Sequence, residues 1–360
     1  MLCRVIYDFN AEDGWVERAE GSFKRSLINT QGRSVVEAST LKLRRVTGLA
    51  KASTIIESLA RNAQSKLVTD TGAKITHWRE AFDALIHADA EGKDTRLFAD
   101  LLKELLAADD NAANEYLSFI VDLEAAKKIG ESQALVLWSD FVELGSIASQ
   151  RAIMDLIENP AADEQIRVRA LIYAARLPQP SDETLDRMWA IRRAYRGKEG
   201  ELNALLDNSS LLQIGTMVSN RRVMKVDDSV HVLRICEEAN QVIEAHDRVV
   251  ALEALGNAVH SAALATLERY TLDQSLEVRQ AALVSIGCFP QDQKLPIVER
   301  VYPQIHDPQS RAAAVEALGA GSLNSDLGER TTEWAMAQIG GETSPLVQVQ
   351  LVKVLAHALP

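Results

Sequence analysis

The amino-acid sequence predicts a mostly α-helical protein, a solenoid of stacked helical hairpins preceded by a short antiparallel β segment. Two observations carry this. Apolar residues make up 47% of the 360-residue chain but aromatics only 5%, so the core must come mainly from Ala, Leu, Val and Ile. Ala and Leu are good helix formers and let neighbouring helices pack closely. The second observation is a short apolar phrase ending in glycine, which returns at near-constant spacing in the later chain.

Residues 1–48 read as strands. Arg4–Phe9 is short and β-prone, Trp15–Arg18 follows an Asp13-Gly14 turn, and Ser34–Leu43 mixes β-branched residues with near-alternation. Gly21 and Gly32 separate these runs. Three or four antiparallel strands of this length cannot bury a core alone. They are expected to pack on the helical part or to be the remnant of a larger N-terminal sheet.

From Leu49 the period turns helical, and residues 49–360 are expected to form one helical-repeat solenoid. Ile55, Ile56 and Leu59 mark a first helix. Trp78, Phe82, Leu85 and Ile86 then stand at i, i+4, i+7 and i+8. Leu97, Leu101, Leu102, Leu105 and Leu106 follow a polar break at Asp89–Asp94. Further apolar segments lie at Tyr116–Leu123, Ala134–Leu144 and Ile147–Ile157.

The later chain repeats itself. Val250–Gly256 recurs as Gln280–Gly287 and as Ala312–Gly319, with the glycines 31 and 32 residues apart. Weaker echoes stand at Phe141–Gly145, Arg169–Ala175, Leu211–Gly215 and Leu351–Ala356. A fixed period of this size means a repeat architecture. Each unit opens with an Asp-containing turn, Leu272–Ser275 or His306–Gln309, and continues into a helix at Glu277-Val278-Arg279 or Ser310-Arg311. Gly256, Gly287 and Gly319 fall where the helix should end, so they are expected to be C-caps with positive φ. Second helices are expected at Ala263–Tyr270, Leu295–Val301 and Glu329–Ile339. Such hairpins form a HEAT-like α-α superhelix, in which each unit buries its apolar stripe only against its neighbours.

The formal net charge is −12, which argues against a nucleic-acid partner. The basic cluster Arg192, Arg193, Arg196 and Lys198 reads as a solvated helix end, where cations suit the helix dipole. No run reaches the roughly 18–20 apolar residues of a membrane span. No signal peptide is visible at Met1–Asn10. The cysteines, Cys3, Cys236 and Cys288, are far apart and lack a CxxC pattern, so a zinc site or redox motif is not expected. Their odd number leaves room for one disulfide. Cys236, inside an apolar run, is expected to be buried and inert.

No enzymatic chemistry is visible, and no catalytic, cofactor-binding or metal-ligating residue is assigned. His77, His87, His231, His246, His260, His306 and His357 show no ligand spacing. There is no nucleophile elbow, P-loop or dinucleotide fingerprint. Gly319-Ala320-Gly321-Ser322 follows a helix rather than a strand and reads as a cap and loop. Asp109-Asp110-Asn111 and Asp89-Ala90-Glu91-Gly92 lack the alternating ligands of a calcium loop. Asn208-Ser209-Ser210 matches a glycosylation sequon of a kind common by chance.

Particular phrases go further than the repeats. Ala251–Ala258, His260 and Leu264–Tyr270, followed by Val278–Leu283, resemble a phrase of the helical domain of the vitellogenin family of large lipid transfer proteins. Phe141–Ile157, Ala170–Met188 with Leu177-Pro178 and Pro180–Glu183, and Glu342–Ala356 resemble further segments of that domain in the same order. The resemblance covers residues 50–360. It implies a two-layered helical horseshoe around lipid-carrying β-sheets, with residues 1–48 matching the end of an N-terminal sheet. The departures are the rest of that sheet, the later cavity-lining sheets and the family's cysteine pairs. No lipid ligand is named by motif.

The expected function is therefore a non-enzymatic helical module of a vitellogenin-like lipid-transport protein, bracing a lipid-carrying region or partner. The alternative is a HEAT-repeat protein-protein interaction scaffold. The expected partner is lipid, by resemblance, or protein on the concave face. Exposed Leu and Val there would favour lipid, a polar concavity the scaffold. The compartment follows the resemblance: secreted or periplasmic if it holds and the chain continues upstream, otherwise cytoplasmic.

Overall fold

The computed structural model describes residues 2–10, 15–28, 34–44, 75–90, 96–129, 131–319 and 328–357. The chain divides into two units, Met1–Ile75 and Thr76–Pro360. Within the first, the backbone runs as β1 (Leu2–Asn10), β2 (Trp15–Ile28) and β3 (Ser34–Arg44), antiparallel in the order β1-β2-β3. The Asp13-Gly14 turn, the helix expected around Ile55–Leu59, the domain boundary expected after residue 48 and most of the loop from Gly319 to Ser322 lie outside the described residues.

The second unit is mostly helical. Its described residues hold α1 (Trp78–Ala90), α2 (Arg96–Ala108), α3 (Asp110–Ala125), α4 (Glu131–Glu143), α5 (Ile147–Glu158), α6 (Glu164–Ala174), α7 (Asp182–Tyr195) and α8 (Glu201–Arg221). After these come α9 (Ser229–Gln241), α10 (Ala245–Ala258), α11 (Leu264–Tyr270), α12 (Leu276–Gly287), α13 (Gln291–Val301), α14 (Pro308–Gly319), α15 (Glu329–Ile339) and α16 (Pro345–His357). Short 3-10 turns follow α8 and α13 and precede α11. Many starts are set by a side chain that accepts a backbone N–H of the first turn: Asp109, Ser146, Asp163, Ser181 and Ser275.

Alternate helices pack together. α4 packs on α6, α6 on α8, and then α8, α10, α12, α14 and α16 run in an unbroken series. The other helices form a second layer, each against its neighbour in the hairpin. A helix of the first layer is thus covered on three sides. This explains why α10 buries Val250, Ala251, Leu252, Ala254, Leu255 and Ala258 almost all round, with no single apolar stripe. At the chain-proximal end Trp78 is buried under Tyr116 and Phe119. Ile86, eight residues on from Trp78, is rotated about 80° away at 100° per residue and is exposed.

The repeated glycines do a different job from the one expected. Among the described glycines positive φ occurs at Gly145, Gly197 and Gly200, and not at Gly256, Gly287 or Gly319. Gly256 lies inside α10, and Gly287 and Gly319 are the last residues of α12 and α14. α10 ends instead on Val259 in the left-handed region. A Cβ on Gly256 would stand 2.8 Å from the Ser285 Cβ, and one on Gly215 would stand 2.1 Å from the Ala254 carbonyl oxygen. These two glycines let α8, α10 and α12 approach closely. The Ser285 hydroxyl completes the second contact by donating to the Leu252 carbonyl at 2.9 Å.

Arginine ladders tie one repeat to the next. Arg248, Arg279 and Arg311 sit 31 and 32 residues apart and pair with Asp273, Asp307 and Glu342 in the following turns. Arg279 also donates to the Asp273 and Gln274 carbonyls and to the Ser310 hydroxyl. On the second layer Arg151 joins Asp110 and Glu183, Arg187 joins Asp155 and Glu158, and Arg300 joins Glu268. Buried Gln150 donates to the Gly145 and Gln179 carbonyls and accepts from Ser181 N–H and the Thr184 hydroxyl. Every polar atom of its amide is matched, which is what makes its burial tolerable.

Two predictions follow from this packing. Leu318 is fully buried, so Leu318→Ala is expected to cost roughly 2–5 kcal/mol; an unchanged urea-unfolding midpoint would remove it from the core. The second concerns acid. Burial opposes the ionised forms of Asp307 and Glu342, yet the backbone N–H groups of Ser310 and Ser344, with Arg279 and Arg311, outweigh it and hold both carboxyls below their ordinary values. A lowered folded-state pKa gives stability that is present above the unfolded value, about 4, and is lost as pH falls through the folded values. Stability is expected to drop below about pH 4, and Asp307→Asn is expected to flatten that drop in melts taken across the acid range.

Candidate functional site

An apolar groove of about 680 Å³ lies over α4, α6 and α8. Leu135, Val168, Ile172, Tyr173, Leu202 and Leu205 form its floor and walls. Leu135, Ile172 and Leu205, one from each helix, are all exposed. Glu164 and Glu201 stand at the start of α6 and α8, and Arg176 stands just past the end of α6. The groove therefore runs from an acidic end to a basic end. From Gln165 to Arg176 it is about 16 Å long at the helical rise per residue.

Its floor is held rigid. The Trp138 and Tyr173 rings stack with centroids 5.5 Å apart, and the Tyr173 hydroxyl donates to the Leu135 carbonyl at 3.2 Å. Arg169 pairs with Glu124, which also accepts from the Trp138 indole. Arg176 donates to the Ser139 hydroxyl at 2.9 Å and lies over the Tyr173 ring. Its guanidinium has no carboxylate within ion-pair distance among the described residues, so the basic end of the groove keeps its charge. A volume of this size falls within the range of small-ligand pockets, roughly 300–1,000 Å³.

Two further cavities are less apolar in character. One of about 760 Å³ lies between successive repeat turns, with Asp273, Arg279, His306 and Asp307. The other, of about 270 Å³, lies between α3 and α5 with Asn114, Asp122, Asp155 and Asn159. Burial pushes the Lys294 ammonium down to about 8, and burial raises the Tyr116 hydroxyl, but neither residue lines a cavity described above. Among the described residues no group of His, Cys, Asp and Glu could hold a metal ion, and no helix is long and apolar enough to cross a membrane.

The residues singled out by sequence scatter. Burial lowers the pKa of His231, whose Nδ1 accepts the Trp189 indole N–H at 3.0 Å; His77 and His260 accept backbone N–H groups. Cys236 is a buried free thiol raised by that burial, and Cys288 is a free thiol at the surface. Asp109 caps α3. The basic cluster is not a solvated helix end throughout: Arg192 is buried, paired with Asp207 of α8 and Glu238 of α9, and Arg196 also reaches Glu238. Its partners lie 15 and 46 residues away in sequence, out of reach of local pattern. The groove itself was missed. Its one signal is the run Ala134-Leu135-Val136-Leu137-Trp138, which carries more consecutive apolar residues than one buried stripe needs.

Comparison with known proteins places this geometry. The family model described as the Vitellogenin TPR domain matches residues 76–307, well over half of the chain. Among solved structures the chain is similar to human deoxyhypusine hydroxylase in complex with glycerol, at 13% identity and a TM-score of 0.30, over 85% of this chain and 98% of that one. No curated protein matches. The helical-repeat architecture and the match over residues 76–307 agree, and the chain belongs to the Vitellogenin TPR domain family.

Proposed function

We propose that the protein is a non-enzymatic helical module of a vitellogenin-like lipid-transport protein, bracing a lipid-carrying region or partner. The observation that carries this is the row Leu135, Ile172 and Leu205, which three successive first-layer helices leave exposed in one groove. An apolar trough open to water is stabilised when it is covered, and an acyl chain contributes about 0.8 kcal/mol per buried methylene. Membership of the Vitellogenin TPR domain family supports lipid as the covering group. In this reading residues 1–48 are the remnant of an N-terminal sheet and residues 49–360 the solenoid. The net charge of −12 supports a partner other than nucleic acid.

The HEAT-repeat scaffold is the second reading, favoured by the charged ends of the groove. Glu164 and Glu201 opposite Arg176 would suit an amphipathic helix laid between them. One titration separates the two. The full chain is expected to bind the fluorescent fatty acid cis-parinaric acid, and solvent extraction of the purified protein is expected to release lipid. Ile172→Asp with Leu205→Asp is expected to weaken probe binding at least about tenfold by putting charge in the trough. A wild-type chain that binds no probe and releases no lipid counts against lipid and leaves the scaffold.

A further inference from the structure

We propose that the turn between α8 and α9 is a membrane-docking tip, which inserts Val223, Met224 and Val226 into an anionic lipid surface while Arg222 and Lys225 hold the headgroups. The inference goes beyond the lipid-bracing reading and does not depend on it. Four apolar residues at and just after the turn lie in water: Val223 is 73% exposed, Met224 43%, Val226 42% and, in the first turn of α9, Val230 66%. Few soluble surfaces leave such a run uncovered without a use.

The exposure is imposed by a clamp at the base of the turn. Arg221, the last residue of α8, is buried. Its Nε donates to Asp228 at 3.1 Å, its Nη1 to the Pro180 carbonyl at 3.1 Å, and its Nη2 to Asp182 at 2.6 Å. Arg221 and Asp228 thus close the two ends of the turn on each other, and residues 222–227 must project. Within them Arg222–Met224 form a 3-10 turn, and Lys225 takes the left-handed conformation that reverses the chain. With its base pinned, the tip presents Val223, Met224 and Val226 to solvent.

Charge selects the partner. Arg222 and Lys225 are exposed and have no carboxylate within ion-pair distance among the described residues. Of the three nearby acids, Asp182 and Asp228 are both paired with Arg221 at the base of the turn. Asp227 accepts the Ser229 N–H, which with the Ser229 hydroxyl outweighs desolvation and holds it ionised. The tip therefore carries two free cations against one anion. None of its residues lines any of the three cavities, and it offers no Trp or Tyr of the kind that anchors a protein interface. Apolar side chains flanked by cations, with no shaped pocket, suit a fluid anionic bilayer.

The test is sedimentation of the full chain with phosphatidylcholine vesicles, plain or containing phosphatidylserine. The wild-type chain is expected to sediment with the phosphatidylserine vesicles and not with the plain ones. Val223→Asp/Met224→Asp and Arg222→Glu/Lys225→Glu are each expected to lower that partitioning at least about tenfold, with thermal melts unchanged because every altered side chain is exposed. The groove variant Ile172→Asp/Leu205→Asp is expected to bind vesicles as the wild type does, so the two readings fail separately. A wild-type chain that ignores phosphatidylserine vesicles, or tip variants that sediment like the wild type while remaining folded, overturns the proposal.

Discussion

The solenoid depends on how closely its first-layer helices approach. At Gly215 against Ala254, and at Gly256 against Ser285, one helix lies so near the next that no Cβ fits between them. In an isolated helix glycine is a cost, about 1 kcal/mol relative to alanine. Here the cost is offset by contact. Close backbones bring Val250, Leu252, Leu255, Leu283 and Ile286 into full burial on helices whose other sides are also covered. Apolar burial of that kind is the main source of stability in a stack whose units cannot fold alone.

Once the helices are close, their polar groups must be matched, and the ladders do this with the repeat's own period. Arg248, Arg279 and Arg311 each reach the acidic turn of the next unit. The same logic yields the surface features. The stacking of successive repeats also brings Leu135, Ile172 and Leu205, one from each of three helices, into one groove. A buried arginine that satisfies itself on both ends of a turn, as Arg221 does, leaves the turn nowhere to go but outward.

Much of this was legible in the sequence. The glycine-ended phrases and the Asp turns gave the period, and the helices expected at Ala263–Tyr270, Leu295–Val301 and Glu329–Ile339 are present as α11 with its preceding 3-10 turn, α13 and α15. The role of the glycines was not legible. A glycine after an apolar run marks a helix end in local pattern, but the contact that explains Gly256 comes from Ser285, one repeat away. α10 runs on to Ala258 and stops at a β-branched Val259 in the left-handed region, which no propensity foretells. Arg192 was misread for the same reason, because its carboxylates come from two other helices. The groove was hidden because an exposed Ile172 and a buried Leu171 look alike in sequence.

The close-approach constraint can be tested with one pair of substitutions of identical chemistry. A Cβ at Gly215 meets the Ala254 backbone, which no side-chain movement relieves, whereas a Cβ at Gly340 meets nothing within 4 Å. The measurement is the urea-unfolding free energy of Gly215→Ala and Gly340→Ala. Gly340→Ala is expected to be neutral or slightly stabilising, and Gly215→Ala to lose about 1–3 kcal/mol through overpacking, against the sign of helix propensity. A Gly215→Ala chain as stable as the wild type, or more stable, would contradict the claim that close helix approach holds the solenoid together.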